Sequence, residues 1–302
     1  MNDNTLRDID LKFNAKKKFE RARKKAFVNE LMAKLLNKEN ELLQLDEIKY
    51  LVPPKAMVYR GIKSIPIDKI VGSEGRYRDF DRDFLPKQDT TKERWENIEV
   101  AKEKNLYLPP ISVYKIGDHY IVRDGNHRVS VAKELGQEFI DAEVTELFTP
   151  VKIEDFSQKG LLIAESYNYF LEKTGFKNVF PDVEIKLSNP WGYYRLIEHI
   201  NTYKYFLAEK KKRDISLSEA IKSWYNELYL PIIKLVKKKK ILRFFPEREA
   251  GDFYIWIMDH WHYLKESGQD IPLEEAVDDY YRKYVNKGFL SKFFLLFKKR
   301  KK

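Results

Sequence analysis

The residues best placed to do chemistry form one stretch, Asp124-Gly125-Asn126-His127-Arg128. The alternating apolar run 119–123 before it predicts a half-buried strand, and the run 129–136 after it predicts a short helix that ends in glycine. Unpaired backbone N–H groups and the positive end of the dipole meet at a helix N-terminus, so this place suits a phosphate. Arg128 adds a planar fork for phosphate oxygens, and Gly125 allows close approach of the backbone. A tight turn with solvated polar residues is the alternative.

The flanking segments resemble a known nucleotide-binding domain. An "Ile-Pro-Ile" strand at 65–67 is followed by a loop with acidic and basic residues at 72–78. A "Pro-Pro-Ile-Ser-Val" strand at 109–113 and a Gly-Asp hairpin turn at 117–118 lead back to the histidine-arginine turn. This order is similar to the domain shared by ParB-type partition proteins, sulfiredoxins and free serine kinases. The resemblance covers roughly residues 57–147.

Differences from the family pattern indicate which of its three members this chain resembles most. Sulfiredoxins place a catalytic cysteine where this chain has Asn126, and the chain contains no cysteine, so thiol chemistry is excluded. ParB proteins carry a glutamate and two arginines after the glycine. The serine-kinase form, Asp-Gly-His-His-Arg, matches best, with one histidine replaced by Asn126. Its base is a glutamate in the earlier loop, for which Glu74 is the candidate, although the neighbouring Asp79, Asp81 and Asp83 leave the alignment open.

The resemblance implies a ParB/sulfiredoxin-like domain with a small mixed sheet. The residues after 150 predict a mainly α-helical domain and resemble a domain family of unknown function found fused to ParB-like domains, so the whole chain is expected to be α+β. The resemblance of the first domain implies ATP or ADP as ligand, with Mg²⁺ sharing the phosphate charge, and phosphate transfer to a small hydroxylated acceptor. The residues expected at the phosphates are Arg76, Arg78, Gly125, Asn126, His127, Arg128 and Ser130. The residues expected in catalysis are Glu74, Asp124 and His127. The alternative is a nucleotide-dependent DNA-binding or regulatory protein without phosphotransfer.

Composition sets the remaining limits. Lysine and arginine outnumber aspartate and glutamate by 57 to 47, a formal charge of +10, which favours polyanionic partners such as nucleotides, nucleic acid or an anionic membrane surface. A lysine-rich surface of a thermophilic protein explains the same excess. No apolar run has the length of a membrane span and the N-terminus lacks a secretion signal, so a cytoplasmic location is expected.

The first 50 residues predict a basic helical segment over 14–47, with Phe19, Ala22, Phe27, Leu31, Leu35, Leu42 and Leu45 on its apolar face. Its lysines at 16–18 and 24–25 are candidates for weak, non-specific nucleic-acid contacts, and a solvated face is the alternative. Pro53-Pro54 separates this segment from the domain expected over 51–150.

The remainder, 151–302, predicts a helical domain that contains an internal repeat, over about 190–240 and 250–300. Residues 193–200 align with 254–261, and residues 215–221 align with 271–277. Each repeat predicts a helical hairpin of roughly sixty residues, and the two hairpins are expected to pack as a pseudo-symmetric bundle. A role of this helical domain in oligomerisation or in docking another protein is an alternative.

Two acidic-histidine pairs recur in the repeat, Glu198-His199 and Asp259-His260. A metal site is one interpretation, but adjacent helical residues point about 100° apart and no His-x3-His pair exists. We therefore expect each histidine to bond to the facing repeat. The apolar tail 288–297, with lysines at 298–302, predicts either a cap on the helical domain or a membrane-interface segment.

Overall fold

The computed structural model describes residues 3–286, so the tail 288–302 lies outside the described residues. The described residues form two compact units, with the boundary between Leu161 and Leu162. No helix within 3–286 is both long and apolar enough to cross a membrane.

The first unit is α+β. Its helices are α1 (Asp3–Leu36), α2 (Leu45–Leu51), α3 (Lys92–Glu103) and α4 (Asn126–Glu134). Its strands are β1 (Leu43–Gln44), β2 (Ala56–Pro66), β3 (Ile70–Ser73), β4 (Ile111–Ile116), β5 (His119–Asp124) and β6 (Phe139–Phe148). The strands form one mixed sheet in the order β1-β3-β5-β4-β6-β2. The pairs β1–β3, β3–β5 and β4–β6 are parallel, and the other two are antiparallel. The small mixed sheet expected from the sequence is therefore confirmed.

The core of this unit lies between the sheet and the helices that carry the candidate site. Val122 of β5, Ile111 of β4 and Val129 of α4 belong to one buried apolar cluster. On the other side of α4, Val131 packs with Trp95 of α3 and Phe19 of α1. Burial of these side chains fixes α4 at the end of β5, where the polar residues of interest begin.

Helix α1 differs from its prediction in bounds and in its apolar face. It ends at Leu36, because Asn37 adopts a φ of 50°, so Leu42 and Leu45 belong to later elements. Phe27, Leu31 and Leu35 are exposed by half or more of their surface. Phe19 and Ala22 are buried as predicted, and two further alanines, Ala15 and Ala26, complete a face that allows close packing. Its buried residues are Ala15, Phe19, Ala22 and Ala26.

The second unit is helical. Its helices are α5 (Gln158–Thr174), which starts just before the boundary, α6 (Phe176–Val179), α7 (Trp191–Lys211), α8 (Leu217–Trp224), α9 (Leu230–Lys238), α10 (Ala250–Glu266) and α11 (Leu273–Tyr280). The expected repeat is present as α7–α8 and α10–α11, a long helix followed by a short one. A π-helical segment continues each short helix, at Tyr225–Tyr229 and at Tyr281–Asn286. The indole of Trp224 donates to the hydroxyl of Tyr254 at 2.7 Å, which joins the repeats.

The histidines of the repeat do not behave as expected. His260 bonds Asp279 at 2.8 Å, and both residues belong to the second repeat. The repeats are bridged instead by Arg195, which donates to Asp259. The expected contact with the facing repeat is therefore wrong for His260, whereas the ring of His199 packs edge-on against Tyr254 of the second repeat, with ring centroids 5.6 Å apart. A long arginine can cross between helix axes that lie 8–10 Å apart, whereas the short imidazole of His260 bonds the neighbouring helix α11.

Candidate functional site

The N-terminal turn of α4 is built around Gly125, which has a φ of +107° and precedes the first helical residue. The helix begins at Asn126, three residues earlier than the sequence predicts. Its first intrahelical hydrogen bond runs from Val129 N to Gly125 O at 3.0 Å. The N–H groups of residues 126–128 thus have no acceptor within the helix, and no side chain caps them at the N-cap position. They form a ready site for an anion.

Two buried side chains in this turn have polar atoms without a partner. Asn126 is 5% exposed and His127 is 4% exposed. Within the described part of the chain, Asn126 Oδ1 and His127 Nδ1 make no hydrogen bond. Leaving a buried polar group unpaired costs about 1–3 kcal/mol, so such atoms mark places where water or a ligand supplies the missing partner.

The sheet brings a second loop to the same place. Strands β3 and β5 are parallel, so the residues that follow each strand emerge at the same edge of the sheet. Glu74 N donates to Val122 O at 2.8 Å, which holds the loop after β3 beside β5. Arg76 of this loop donates to Asp79 at 2.9 Å. The structure therefore places the loop 74–79 near the turn 124–128, as the sequence resemblance requires.

The electrostatics of His127 support this proximity. Burial, together with the positive charges of Arg94 and Arg76, lowers the pKa of His127 to about 4, while Asp79 acts in the opposite direction. The imidazole is therefore neutral near pH 7. It packs edge-on against Phe80, with ring centroids 5.3 Å apart. A neutral imidazole can offer one N–H donor and one acceptor to a ligand.

Arg128 and Asp124 are engaged with the protein itself. The Arg128 guanidinium donates to the carbonyl oxygens of Pro109 and Pro110, the latter at 2.8 Å, and to the Asp124 carboxylate. These bonds tie the start of α4 to the chain before β4. In this arrangement Arg128 stabilises the turn. Its hydrogen bonding to phosphate oxygens stays a prediction, and so does the catalytic role of Asp124.

The other predicted residues lie at different depths. Ser130 is buried, and its hydroxyl accepts the Trp95 indole N–H at 2.9 Å, which turns this hydroxyl towards α3. Arg78 is exposed and lies over the ring of Tyr77. Glu74 is partly exposed, and its Oε1 lies 3.9 Å from Lys49 Nζ. The roles assigned to these residues remain predictions.

The acidic residues that left the alignment open are now distinguishable. Asp81 is buried and accepts the backbone N–H groups of Asp83 and Leu85 at 3.0 and 2.8 Å. Burial raises the pKa of Asp81, and the hydrogen bonds it accepts oppose that rise. Asp81 thus shapes the loop, Asp79 pairs with Arg76 and Asp83 accepts a hydrogen bond from the Asn29 amide at 3.1 Å. The choice of Glu74 as the loop carboxylate that serves a ligand stays a prediction.

Sequence reasoning missed Arg94 and Phe80. Arg94 lies on α3, outside the motif, and reaches His127 only because α3 packs against α4. Nothing in its sequence neighbourhood distinguishes it from other exposed arginines. Among residues 3–286, no group of three or more histidine or acidic side chains is arranged to hold a metal ion.

Comparisons with known proteins add little to this geometry. Residues 194–285 match a family described as a domain of unknown function (DUF4032). No curated protein is significantly similar to the chain. Among solved structures, sulfiredoxin from Arabidopsis thaliana is 20% identical, with 28% of this chain and 84% of that chain covered and a TM-score of 0.22.

Two structures of a pNOB8-like ParB N-domain are also similar. One is 14% identical, with 78% of this chain and 85% of that chain covered and a TM-score of 0.20. The other is 15% identical, with coverages of 78% and 80% and a TM-score of 0.21. At such low identities and TM-scores, these similarities say nothing about a ligand or an activity of this chain.

Proposed function

We propose that the first unit binds the phosphate groups of a nucleotide at the N-terminal turn of α4. The observation that carries this proposal is the pair of buried, unpartnered polar atoms, Asn126 Oδ1 and His127 Nδ1, beside three N–H groups without helical acceptors. Two independent features thus point to a ligand at one place.

The charges around the turn favour an anion. Arg76 and Arg94 both act on His127 electrostatically, and the helix dipole adds positive potential at the same point. The amide of Asn126 can rotate to present its NH₂ group, and neutral His127 can present an N–H. Phosphate oxygens would accept these donors, which satisfies the groups that the protein alone leaves unpaired.

ATP or ADP is the nucleotide we propose, with Mg²⁺ bound mainly to phosphate oxygens, since the described residues offer no complete metal cluster. For phosphotransfer, an acceptor hydroxyl oxygen would bond to the γ-phosphorus as the bond to the ADP oxygen breaks. Glu74 would take the hydroxyl proton. Its place beside β5, with a partly exposed carboxylate, supports this role.

Calorimetric titration of the full chain with ATP, ADP and CTP, each with Mg²⁺, tests the proposal. We expect ATP or ADP to bind, and Arg76→Ala and Arg94→Ala each to weaken binding by roughly 10-fold or more, because a charge-assisted contact contributes about 1.5–3 kcal/mol. Arg60→Ala is the matched control, because Arg60 lies on β2 at the far edge of the sheet. Equal affinity in all three variants, or no binding by the parent protein, would reject the proposal.

The second candidate is nucleotide-dependent nucleic-acid binding without phosphotransfer. It is favoured by the exposed lysines of α1, at positions 16, 17, 24 and 25. Lys18 is not available in the same way, since it pairs with Glu99 and Glu103. Such contacts would be with phosphates only and would carry no sequence preference.

A further inference from the structure

The second unit contains a cavity of about 520 Å³ between α7 and α10, inside the segment that matches the domain of unknown function. Its apolar and aromatic lining consists of Tyr203, Phe206, Leu228, Met258 and Trp261. The volume and lining are those of a small-molecule site, in which a few polar groups fix the orientation of an apolar ligand.

His199 is the polar group at the wall of this cavity. Its Nδ1 is buried without a partner. A ligand in the cavity would therefore bond Nε2, the ring nitrogen that His260 uses in the other repeat. Burial and the nearby Arg195 lower the pKa of His199, so the ring is neutral at physiological pH. A neutral ring that faces a cavity can accept a partner supplied from outside.

The internal repeat shows what that partner is in the other half. His199 aligns with His260, whose Nε2 bonds the carboxylate of Asp279 at 2.8 Å. The residue that aligns with Asp279 is Ser223. Its hydroxyl donates to Glu227 at 2.6 Å and pairs with Tyr203 at 2.9 Å. The first repeat therefore has the histidine without the carboxylate that bonds it in the second repeat.

The charges at the rim of the cavity also favour an acid. Arg195 is neutralised by Asp259, to which it donates. Lys265 lies over the ring of Trp261, 3.9 Å from its centroid, and its nearest carboxylate, that of Asp270, is 4.0 Å away and almost fully exposed. The lining thus has one cation in excess beside an aromatic face.

We propose that this cavity binds a small aromatic carboxylate. The acid group takes, at His199, the place that Asp279 takes at His260, and Lys265 supplies the compensating charge. The ring of the ligand lies among Phe206, Met258 and Trp261. This proposal is independent of the nucleotide site in the first unit.

Fluorine NMR with three probes tests the proposal on the full chain. Fluorophenylacetate, fluorophenylethanol and fluorophenylethylamine share a ring and differ in charge. We expect the acid to bind at least about 10-fold more tightly than the alcohol and the amine, since a charge-assisted bond is lost in both. The imidazole signal of His199 should titrate at a higher pH when the acid is bound. Equal binding of the three probes, or binding of none, overturns the proposal.

A variant that carries residues of the second repeat at the aligned positions of the first repeat tests the proposal more sharply; we call it the transplant. Ser223→Asp with Glu227→Lys copies Asp279 and Lys283, which pair at 2.8 Å in the second repeat. The new carboxylate should occupy His199 and weaken binding of the acid by 10-fold or more. The control, Ser218→Asp with Glu274→Lys, makes the same charge change at exposed positions. If the transplant does not fold, Lys265→Gln tests the proposal instead. This variant should bind the acid several-fold more weakly and should bind the alcohol and the amine as the parent protein does. Unchanged binding of the acid in a folded variant of either kind contradicts the proposal.

Discussion

The sharpest structural prediction concerns Gly125→Ala at the turn that forms the candidate phosphate site. Gly125 has a φ of +107°, and an added Cβ would lie 2.5 Å from Ile111 Cγ2 and 2.9 Å from Ile111 Cβ. Ile111 is 1% exposed and belongs to the core cluster, so it has little room to move. The change therefore combines backbone strain with a clash in the core.

The two effects have separable magnitudes. A left-handed backbone at a non-glycine residue costs about 1–2 kcal/mol, and overpacking a core side chain costs about 1–3 kcal/mol. Their sum is about 2–5 kcal/mol. Gly136→Ala is the matched control, because Gly136 follows the other end of α4 with a φ of +68° and has open space around its Cβ position. It should show the backbone cost alone.

Amide hydrogen exchange of α4, followed by mass spectrometry, measures both variants on the full chain. Opening of α4 should become roughly 30-fold or more frequent in Gly125→Ala, since about 1.4 kcal/mol corresponds to a factor of ten. In Gly136→Ala the backbone cost alone, about 1–2 kcal/mol, should raise opening by a smaller factor, roughly 5- to 30-fold. Exchange that rises equally in the two variants would show that Ile111 yields readily and would refute the packing argument.

Three further predictions concern chemistry, pH and nucleic acid. Glu74→Gln should keep nucleotide affinity and lose roughly 100-fold in turnover, measured as ADP release with a panel of hydroxylated acceptors; full activity would exclude Glu74 as the base. The pKa of His127 is about 4 when folded, against about 6.5 in an unfolded chain, so the unfolded state binds more protons between these values. Acidification through this window should therefore destabilise α4 by up to about 3 kcal/mol, and exchange measured across it should show a smaller change in His127→Gln. Duplex DNA should bind weakly and lose affinity steeply as salt rises, because lysine contacts release counterions; anisotropy at two salt concentrations that shows tight, sequence-selective binding would contradict this.

Much of the first unit follows from the sequence because its signals are local. The alternation at 119–123 and the Gly-Asp turn at 117–118 define β4–β5 correctly. The start of α4 was placed too late, because Asn126, His127 and Arg128 carry no apolar periodicity, and the φ of Gly125 sets the boundary. The face of α1 was predicted only in part, because Ala15 and Ala26 give a weaker hydrophobic signal than the exposed Phe27, Leu31 and Leu35.

The parts of the site that sequence could not give depend on long-range packing. Arg94 lies more than thirty residues from His127, and only the packing of α3 on α4 brings it near. The hydrogen bonds that Arg128 donates to the carbonyl oxygens of Pro109 and Pro110 depend on the path of the chain just before β4. In the second unit, the aligned residues predict the repeat. That His260 bonds a carboxylate while His199 Nδ1 has no partner is seen only in the hydrogen bonds of the structure.

The most direct test of the phosphate site is an ATP titration of Asn126→Asp. The change is nearly isosteric and puts a negative charge where the phosphate is proposed to lie, while a carboxylate in the first turn of a helix is compatible with its dipole. Calorimetry should show affinity reduced by 10-fold or more in this variant and unchanged in Asn14→Asp, which makes the same charge change on exposed α1. Equal ATP affinity in Asn126→Asp and the parent protein would contradict the proposed site.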